Sequence, residues 1–438
     1  MKSVEHQYRE KKIAPEEALY FVPDGGNLIL AMGVAMPPGL IAGVARALLE
    51  TDRAPMPVYY MHGSKALADT LLIKKMVGKI IPRPLFLSNH DREGIKHFTD
   101  PHTVEFVPAA FHQVGRLLTE QVEPDCFMAT VSPMDKHGYF SLGTNPDYGA
   151  SVIRKAKNVV VEVNEHMPRT FGECNVHISE VHGIIENNEP LAEIPFHEPT
   201  ETDLTIASTI AQYINDGDTL QMGIGGVPNS VLGLLKNHND LGLHSELFSP
   251  AMVDLIKLGV INGRCKYWMQ HKHVFTLALG NRELYEFMDD NPAVLGYPAS
   301  WVNNPAIIQK NPNVVSVNAA IEVDLTGQIN AEQIDGSPFS GTGGQLDFVR
   351  GAYASKGGRS FIALTSTARH QTLSRIVPQL KGGAVTDPRM DTQYVVTEYG
   401  CVNLKGLSLR QRAKALISIA HPSFRAELED KGRALGLL

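Results

Sequence analysis

The sequence predicts an α/β fold made of two similar open α/β-sheet domains. Short apolar runs bounded by Gly or Pro alternate with helix-like stretches along the whole chain, as expected of strands covered on both faces in parallel or mixed sheets. One stretch has a counterpart later in the chain. At 438 residues the chain exceeds one ordinary core and suits two domains of roughly 200 residues each.

Taken in order, the first half should carry strands at Leu28–Met32, Val58–Met61, Cys126–Val131 and Val159–Val163, with a helix over Leu40–Leu49. The second should carry strands at Leu220–Met222, Val274–Ala278, Val314–Val317, Phe361–Leu364 and Tyr394–Thr397. Near the C-terminus, Ser408 is placed to cap a helix over Leu409–Ala420. Its apolar positions recur at helical spacing, Pro422 stops it, and a second, charged helix follows. Between the halves, Glu189–Thr202 spreads Pro190, Pro195 and Pro199 among acidic residues, a composition typical of a linker. The expected domains are therefore 1–190 and 200–438.

The repeat supports that boundary. Phe21-Val22-Pro23-Asp24-Gly25 leads through Leu28 to Met32-Gly33, then Pro37, an apolar helix-like run and Val58–Gly63. Tyr213-Ile214-Asn215-Asp216-Gly217 leads through Leu220 to Met222-Gly223, then Pro228, a similar run and Leu243–Ser249. The later copy contains Glu246; the earlier has no carboxylate at the matching place. A shared scaffold with an added carboxylate points to a chemical site in the second half.

Composition narrows the function classes. A formal net charge of −7 argues against binding nucleic acid or an anionic membrane through bulk electrostatics. Cys126, Cys174, Cys265 and Cys401 are scattered without a C-x-x-C pair, which fits reduced thiols and a cytoplasmic address. The first residues carry no apolar core of a secretory signal, and no apolar run reaches the ~18–20 residues of a membrane span. His271 and His273 lack a third ligand at sensible spacing, and His177 and His182 do not share a helical face, so no metal is expected. No G-x-S-x-G elbow, P-loop lysine or C-x-x-C appears, which removes the common hydrolase, kinase and redox readings.

Two glycine-rich runs remain. Gly223-Ile224-Gly225-Gly226-Val227-Pro228 follows a strand and opens a helix. Such backbone can approach a ligand closely and offers N–H groups to anions or developing oxyanions. A plain strand–helix corner would use the same glycines. A dinucleotide site would want a third glycine where Pro228 stands, which lowers an NAD reading although Glu246 has the right spacing. Ser340-Gly341-Thr342-Gly343-Gly344-Gln345-Leu346-Asp347-Phe348 again makes a backbone nest before a helix; a flexible surface loop is its bland alternative. Glu246 itself could be a solvated strand-end glutamate, but strand carboxyl ends are where α/β ligand clefts form. Ser132–Gly143 reads as a structural, turn-rich loop.

These residues together resemble the acetyl-CoA hydrolase/transferase group of class I CoA-transferases, nearest to 4-hydroxybutyrate and butyrate:acetate CoA-transferases. The resemblance covers nearly the whole chain. It is carried by Val160–Gly172, Gly223–Pro228, His244-Ser245-Glu246, Ser340–Phe348, Thr397–Gly400 and Leu404–Ser408, with Ser132–Gly143 matching a first-domain loop. It implies two CoA-transferase-like domains with the active site between them. Glu246 would be the nucleophile that forms an acyl-glutamyl anhydride and a glutamyl-CoA thioester. The resemblance places CoA-binding backbone on Gly223, Ile224, Gly225, Gly226 and Val227 and on Gly341, Gly343 and Gly344, with Ile321 and Arg369 as further contacts. A second glutamate falls on Glu398, and an asparagine on Asn303 or Asn304.

The expectation is a ping-pong enzyme with coenzyme A as co-substrate, no metal and no NAD. Its partners would be a short-chain acyl-CoA (4-hydroxybutyryl-, butyryl- or acetyl-CoA) and a carboxylate such as acetate. A homodimer is the working expectation for its assembly. An ordinary glutamate with pKa near ~4.3 is already ionised at neutral pH and needs no general base. The nearest rival is an acyl-CoA hydrolase on the same scaffold, and a nucleotide or sugar-phosphate sensor without turnover is the rival from another class.

Overall fold

The computed structural model describes residues 3–99, 103–194, 198–223 and 225–438. The chain divides into two compact units: Met1–Pro195 with Phe248–Pro250 and Val274–Val302, and Phe196–Leu247 with Ala251–His273 and Asn303–Leu438. Whereas the sequence reading kept 200–438 together, Val274–Val302 packs with the first unit. There Val294–Gly296 pairs in parallel with Phe171–Gly172. Pro195, part of the expected linker, lies outside the described residues; the next helix begins at Glu201, capped by Thr200.

The first unit is built on β1 (Leu28–Leu30), β2 (Met56–Met61), β3 (Ile80–Phe86), β4 (Cys126–Val131), β5 (Asn158–Val163) and β6 (Gly183–Glu186). They form one sheet in the order β3-β2-β1-β4-β5-β6, and every neighbouring pair is parallel. Helix α1 (Pro38–Glu50) starts on prolines whose fixed φ suits the first helical turn. Its buried face, Leu40, Ile41, Val44 and Leu48, joins Leu28, Leu30, Val58, Cys126 and Met128 of the sheet in one core. Burial of each such side chain contributes roughly 1.5–3 kcal/mol. The expected strands do not include β3, whose run contains Pro82 and Pro84. The structure places it at the sheet edge, where proline's missing N–H breaks no ladder.

The second unit adds α2 (Glu201–Ala211), β7 (Thr219–Met222), α3 (Gly226–Leu234), β8 (Gly242–His244), β9 (Val314–Ala319), α4 (Gln345–Ala354), β10 (Arg359–Ala363), β11 (Tyr394–Thr397) and β12 (Gly400–Asn403). Its strands run in the order β8-β7-β9-β10-β11-β12, parallel except for the β11–β12 hairpin. Helices α5 (Leu409–Ser418) and α6 (Pro422–Ala434) close the chain, α5 behind a Ser408–Gln411 capping box. Leu416, Ile417 and Leu428 from them join Val349, Ile362 and Val395 in the second core.

Both units therefore place their first strand between its successor on one side and a later strand on the other. In open α/β sheets the crevice outside the strand carboxyl ends at such a reversal is the usual ligand position. Among the described residues no helix is long and apolar enough to cross a membrane.

Candidate active site

In the second unit, β7 ends at Met222 and the Gly223 N–H donates to the Val317 carbonyl at 2.9 Å, extending the parallel ladder one step. The chain then turns into α3 through Gly225, whose φ of 126° and ψ of −175° suit glycine alone. Ile224 lies outside the described residues. Gly226 opens the helix and Val227 is buried beneath it. The reversal of strand order at β7 thus coincides with a glycine-rich backbone turn.

Beside β7, strand β8 stops at His244, and Ser245-Glu246 bends away before Leu247. Glu246 thus sits just beyond a strand carboxyl end at the switch point. Its Oε2 accepts a 2.5 Å hydrogen bond from Asn303 Nδ2, and the Gly344 N–H faces the same carboxyl and favours its charged form. Gly344 precedes the first residue of α4, so that donor belongs to the positive end of a helix. A Cβ on Gly344 would collide with Glu246 Oε2 and Asn303 Nδ2. Close approach by the glutamate, not backbone conformation, demands glycine at this position.

Electrostatics corrects one expectation. The Glu246 carboxyl does not keep the ordinary carboxylate range but is pushed up to about 7. Enclosure by protein is the main cause; the Asn303 and Gly344 donors pull down, and the Asp347 charge in the first turn of α4 pushes up again. Part of the residue stays accessible, so the site is crowded but not sealed. A carboxyl that changes charge near neutrality and faces positioned donors has the character of a reacting group.

The doubled asparagine separates cleanly. Asn303 is fully buried against Glu246, and among the described residues its Oδ1 has no hydrogen-bond partner. Asn304 instead accepts from the Ala306 N–H at 2.9 Å and caps the short helix Pro305–Ile308. Gly341, Gly343 and Gly344 are all buried, and Gly343 has φ 55°.

The side-chain and backbone contacts of the other expected residues are with other partners. Glu398 follows β11 and accepts from the Ser366 N–H (2.8 Å) and hydroxyl (2.5 Å). Four strand spacings separate the ends of β8 and β11, roughly 19 Å. Ile321 donates its N–H to the Asn330 carbonyl. Arg369 is mostly exposed, pairs loosely with Asp335 at 3.5 Å and begins a run of three left-handed residues, Arg369-His370-Gln371. Reading by sequence alone passed over Asp347 and Ser366. An acid in the first turn of a helix is so common a dipole complement that Asp347 carries no separate signal.

A crowded carboxylate faced by two N–H donors can attack an acyl carbon and have the resulting oxyanion stabilised. Comparison with known proteins bears on which acyl compound. Residues 1–195 match the acetyl-CoA hydrolase/transferase N-terminal domain, and residues 280–432 match the C-terminal domain of the same family. Over 435 residues the chain is 42% identical to a succinyl-CoA:cyclohexane-1-carboxylate CoA transferase of Geobacter metallireducens, covering 99% of this chain and 98% of that one. A 4-hydroxybutyrate coenzyme A transferase of Clostridium kluyveri is 38% identical, with 97% of each chain covered. The crystal structure of RipA from Yersinia pestis superposes with a TM-score of 0.96 at 45% identity over the full length of both.

Proposed function

Because the chain belongs to the acetyl-CoA hydrolase/transferase family, we propose that it is a CoA-transferase moving CoA from a short-chain acyl-CoA to a free carboxylate through a glutamyl-CoA thioester on Glu246. The observation that carries this reading is the Glu246 carboxyl held between Asn303 Nδ2 and the Gly344 N–H at the end of β8.

In the first step a Glu246 oxygen attacks the thioester carbonyl, the C–S bond breaks and the CoA thiolate leaves, giving a mixed anhydride. The thiolate then attacks the glutamyl carbonyl carbon. The anhydride C–O bond breaks, the first carboxylate departs and CoA is held as a thioester. An incoming carboxylate attacks that thioester and expels the thiolate, which returns to the new acyl carbon and restores Glu246. No water and no net proton enter the sum.

Each tetrahedral stage at the glutamyl carbon places negative charge on the oxygen that the Gly344 N–H faces. One such donor is worth about 3–4 kcal/mol of barrier, and the Asn303 amide supplies a second. The Gly223–Val227 turn and the Gly341–Gly344 loop are assigned to CoA, with Ile321 and Arg369 as outer contacts. Glu398 is assigned to the ligand, not to Glu246. The four unpaired cysteines fit a reducing compartment, and the cytoplasm is the location we assign.

Mixing butyryl-CoA with labelled acetate tests the reading. A transferase makes labelled acetyl-CoA, with double-reciprocal plots that stay parallel as acetate is varied. Free thiol release at a rate indifferent to acetate would instead mean a hydrolase. Binding of acyl-CoA with neither product would mean a sensor.

A further inference from the structure

The segment that supplies the Gly344 N–H is rich in glycine, and glycine loses the most backbone freedom on ordering. Something must hold it still. Two side-chain tethers flank it. Thr342 donates its hydroxyl to Glu332 Oε2 at 2.8 Å. Gln345, the first residue of α4, donates Nε2 to Asp387 Oδ2 at 2.6 Å. The two acceptors are themselves joined, because Glu332 Oε2 also accepts from the Thr386 hydroxyl at 3.1 Å. Thr386 N–H and Ile329 N–H donate to the Ile329 and Asp387 carbonyls respectively.

Asp387 is completely buried, and among the described residues its second oxygen, Oδ1, has no hydrogen-bond partner. Burying a carboxyl oxygen without a partner is costly. Among the described residues its one side-chain hydrogen bond comes from the residue next to Gly344. Accordingly we propose that Asp387 is a positioning residue, whose hydrogen bond to Gln345 fixes the start of α4 so that the Gly344 N–H faces Glu246. This rests on Glu246 being the reacting carboxylate, but the geometry it claims is testable without substrate.

The Gly344 N–H favours the charged form of Glu246. Loosening it therefore penalises the native state only where Glu246 is ionised. The titratable group facing Glu246 is Asp347; those around Asp387 are Glu332, Asp391 and Arg350. All four stay in place in every variant. Asp387→Ala and Asp387→Asn are made in the natural chain and in a Glu246→Gln background, and thermal midpoints are read at pH 5.5 and 8.5. Gln345→Ala serves as the second probe if Asp387→Ala does not fold. At pH 8.5 Asp387→Ala, or its substitute, should lower the midpoint roughly 2 °C further in the natural chain than in the Glu246→Gln background. At pH 5.5 the two drops should agree. Asp387→Asn, which keeps an oxygen acceptor, should show less than half the excess. In turnover, Asp387→Ala should cut kcat about 10- to 100-fold with the acyl-CoA KM within about threefold. Equal midpoint drops in both backgrounds at both pH values would overturn the proposal, whatever reaction the enzyme proves to catalyse.

Discussion

At the carboxyl end of β2 the first unit has Met61; in the same register after β8 the second has Glu246. The match follows from strand pairing: Leu28 faces Val58 and Cys126, as Leu220 faces Leu243 and Val315. Counting three residues on from Val58 and from Leu243 reaches Met61 and Glu246. Counting four residues on from Asn158 and from Arg359 sets Glu162 of β5 against Ala363 of β10. Glu162 is fully buried and accepts from the Leu40 N–H at 2.9 Å and from Asn187 Nδ2 at 2.7 Å. A carboxylate of the first unit's own sheet thus fills the amino end of α1. In the second unit an alanine stands there, and the carboxylate has moved to the strand end opposite the Gly344 donor. One scaffold thus sets an acid at a helix start in one copy and, in the function we propose, uses one to react in the other.

Changes on the reactive side should be felt most. Glu246→Ala should abolish transfer, at least about 10³-fold in kcat, since no other group replaces the nucleophile. Gly344→Ala comes next: the added Cβ collides with Glu246 and Asn303, so kcat should fall about 10²-fold in a folded protein, read by steady-state kinetics beside circular dichroism.

Asn303→Ala should cost about 10- to 100-fold in kcat/KM and move its pH dependence. Because the Asn303 donor lowers the Glu246 value from where burial alone would put it, losing it raises that value. The acidic limb, near pH 7 in the natural enzyme, should shift to higher pH.

The smallest effect belongs to the first unit. Glu162 is pushed up from 4.5 to about 7, chiefly by burial. Between those values the native state keeps a proton that the unfolded chain has lost, so stability falls as pH rises through the window. Glu162→Gln removes that dependence. Its melting point relative to the natural chain should climb from pH 4.5 to 8, while kcat stays within about twofold. Loss of transfer in Glu162→Gln would break the division of labour between the copies.

Much of this contrast was legible in the linear chain. The repeat exposed the added Glu246, and the Gly/Pro-bounded apolar runs marked strands such as Cys126–Val131 and Tyr394–Thr397 exactly where hydrogen bonding places them. What stayed hidden depends on distant packing. Asn303 lies 57 residues from Glu246, and only the fold separates it from Asn304, whose side chain is spent on a cap. The raised Glu246 value needs enclosure by a loop from much later in the sequence. β3, absent from the expected strands, contains prolines that an edge strand may hold and an interior one may not. Val274–Val302 joins the first unit through tertiary contacts that leave no compositional mark.

The central claim is that Glu246, alone among the acids compared, becomes covalently acylated. Incubation with butyryl-CoA, reduction with borohydride and peptide mass mapping test it directly. The account predicts loss of the glutamate carboxyl as its reduced alcohol in the peptide bearing Glu246, with the peptides bearing Glu162 and Glu398 unchanged. An unmodified Glu246 peptide in an enzyme that still exchanges label would contradict it.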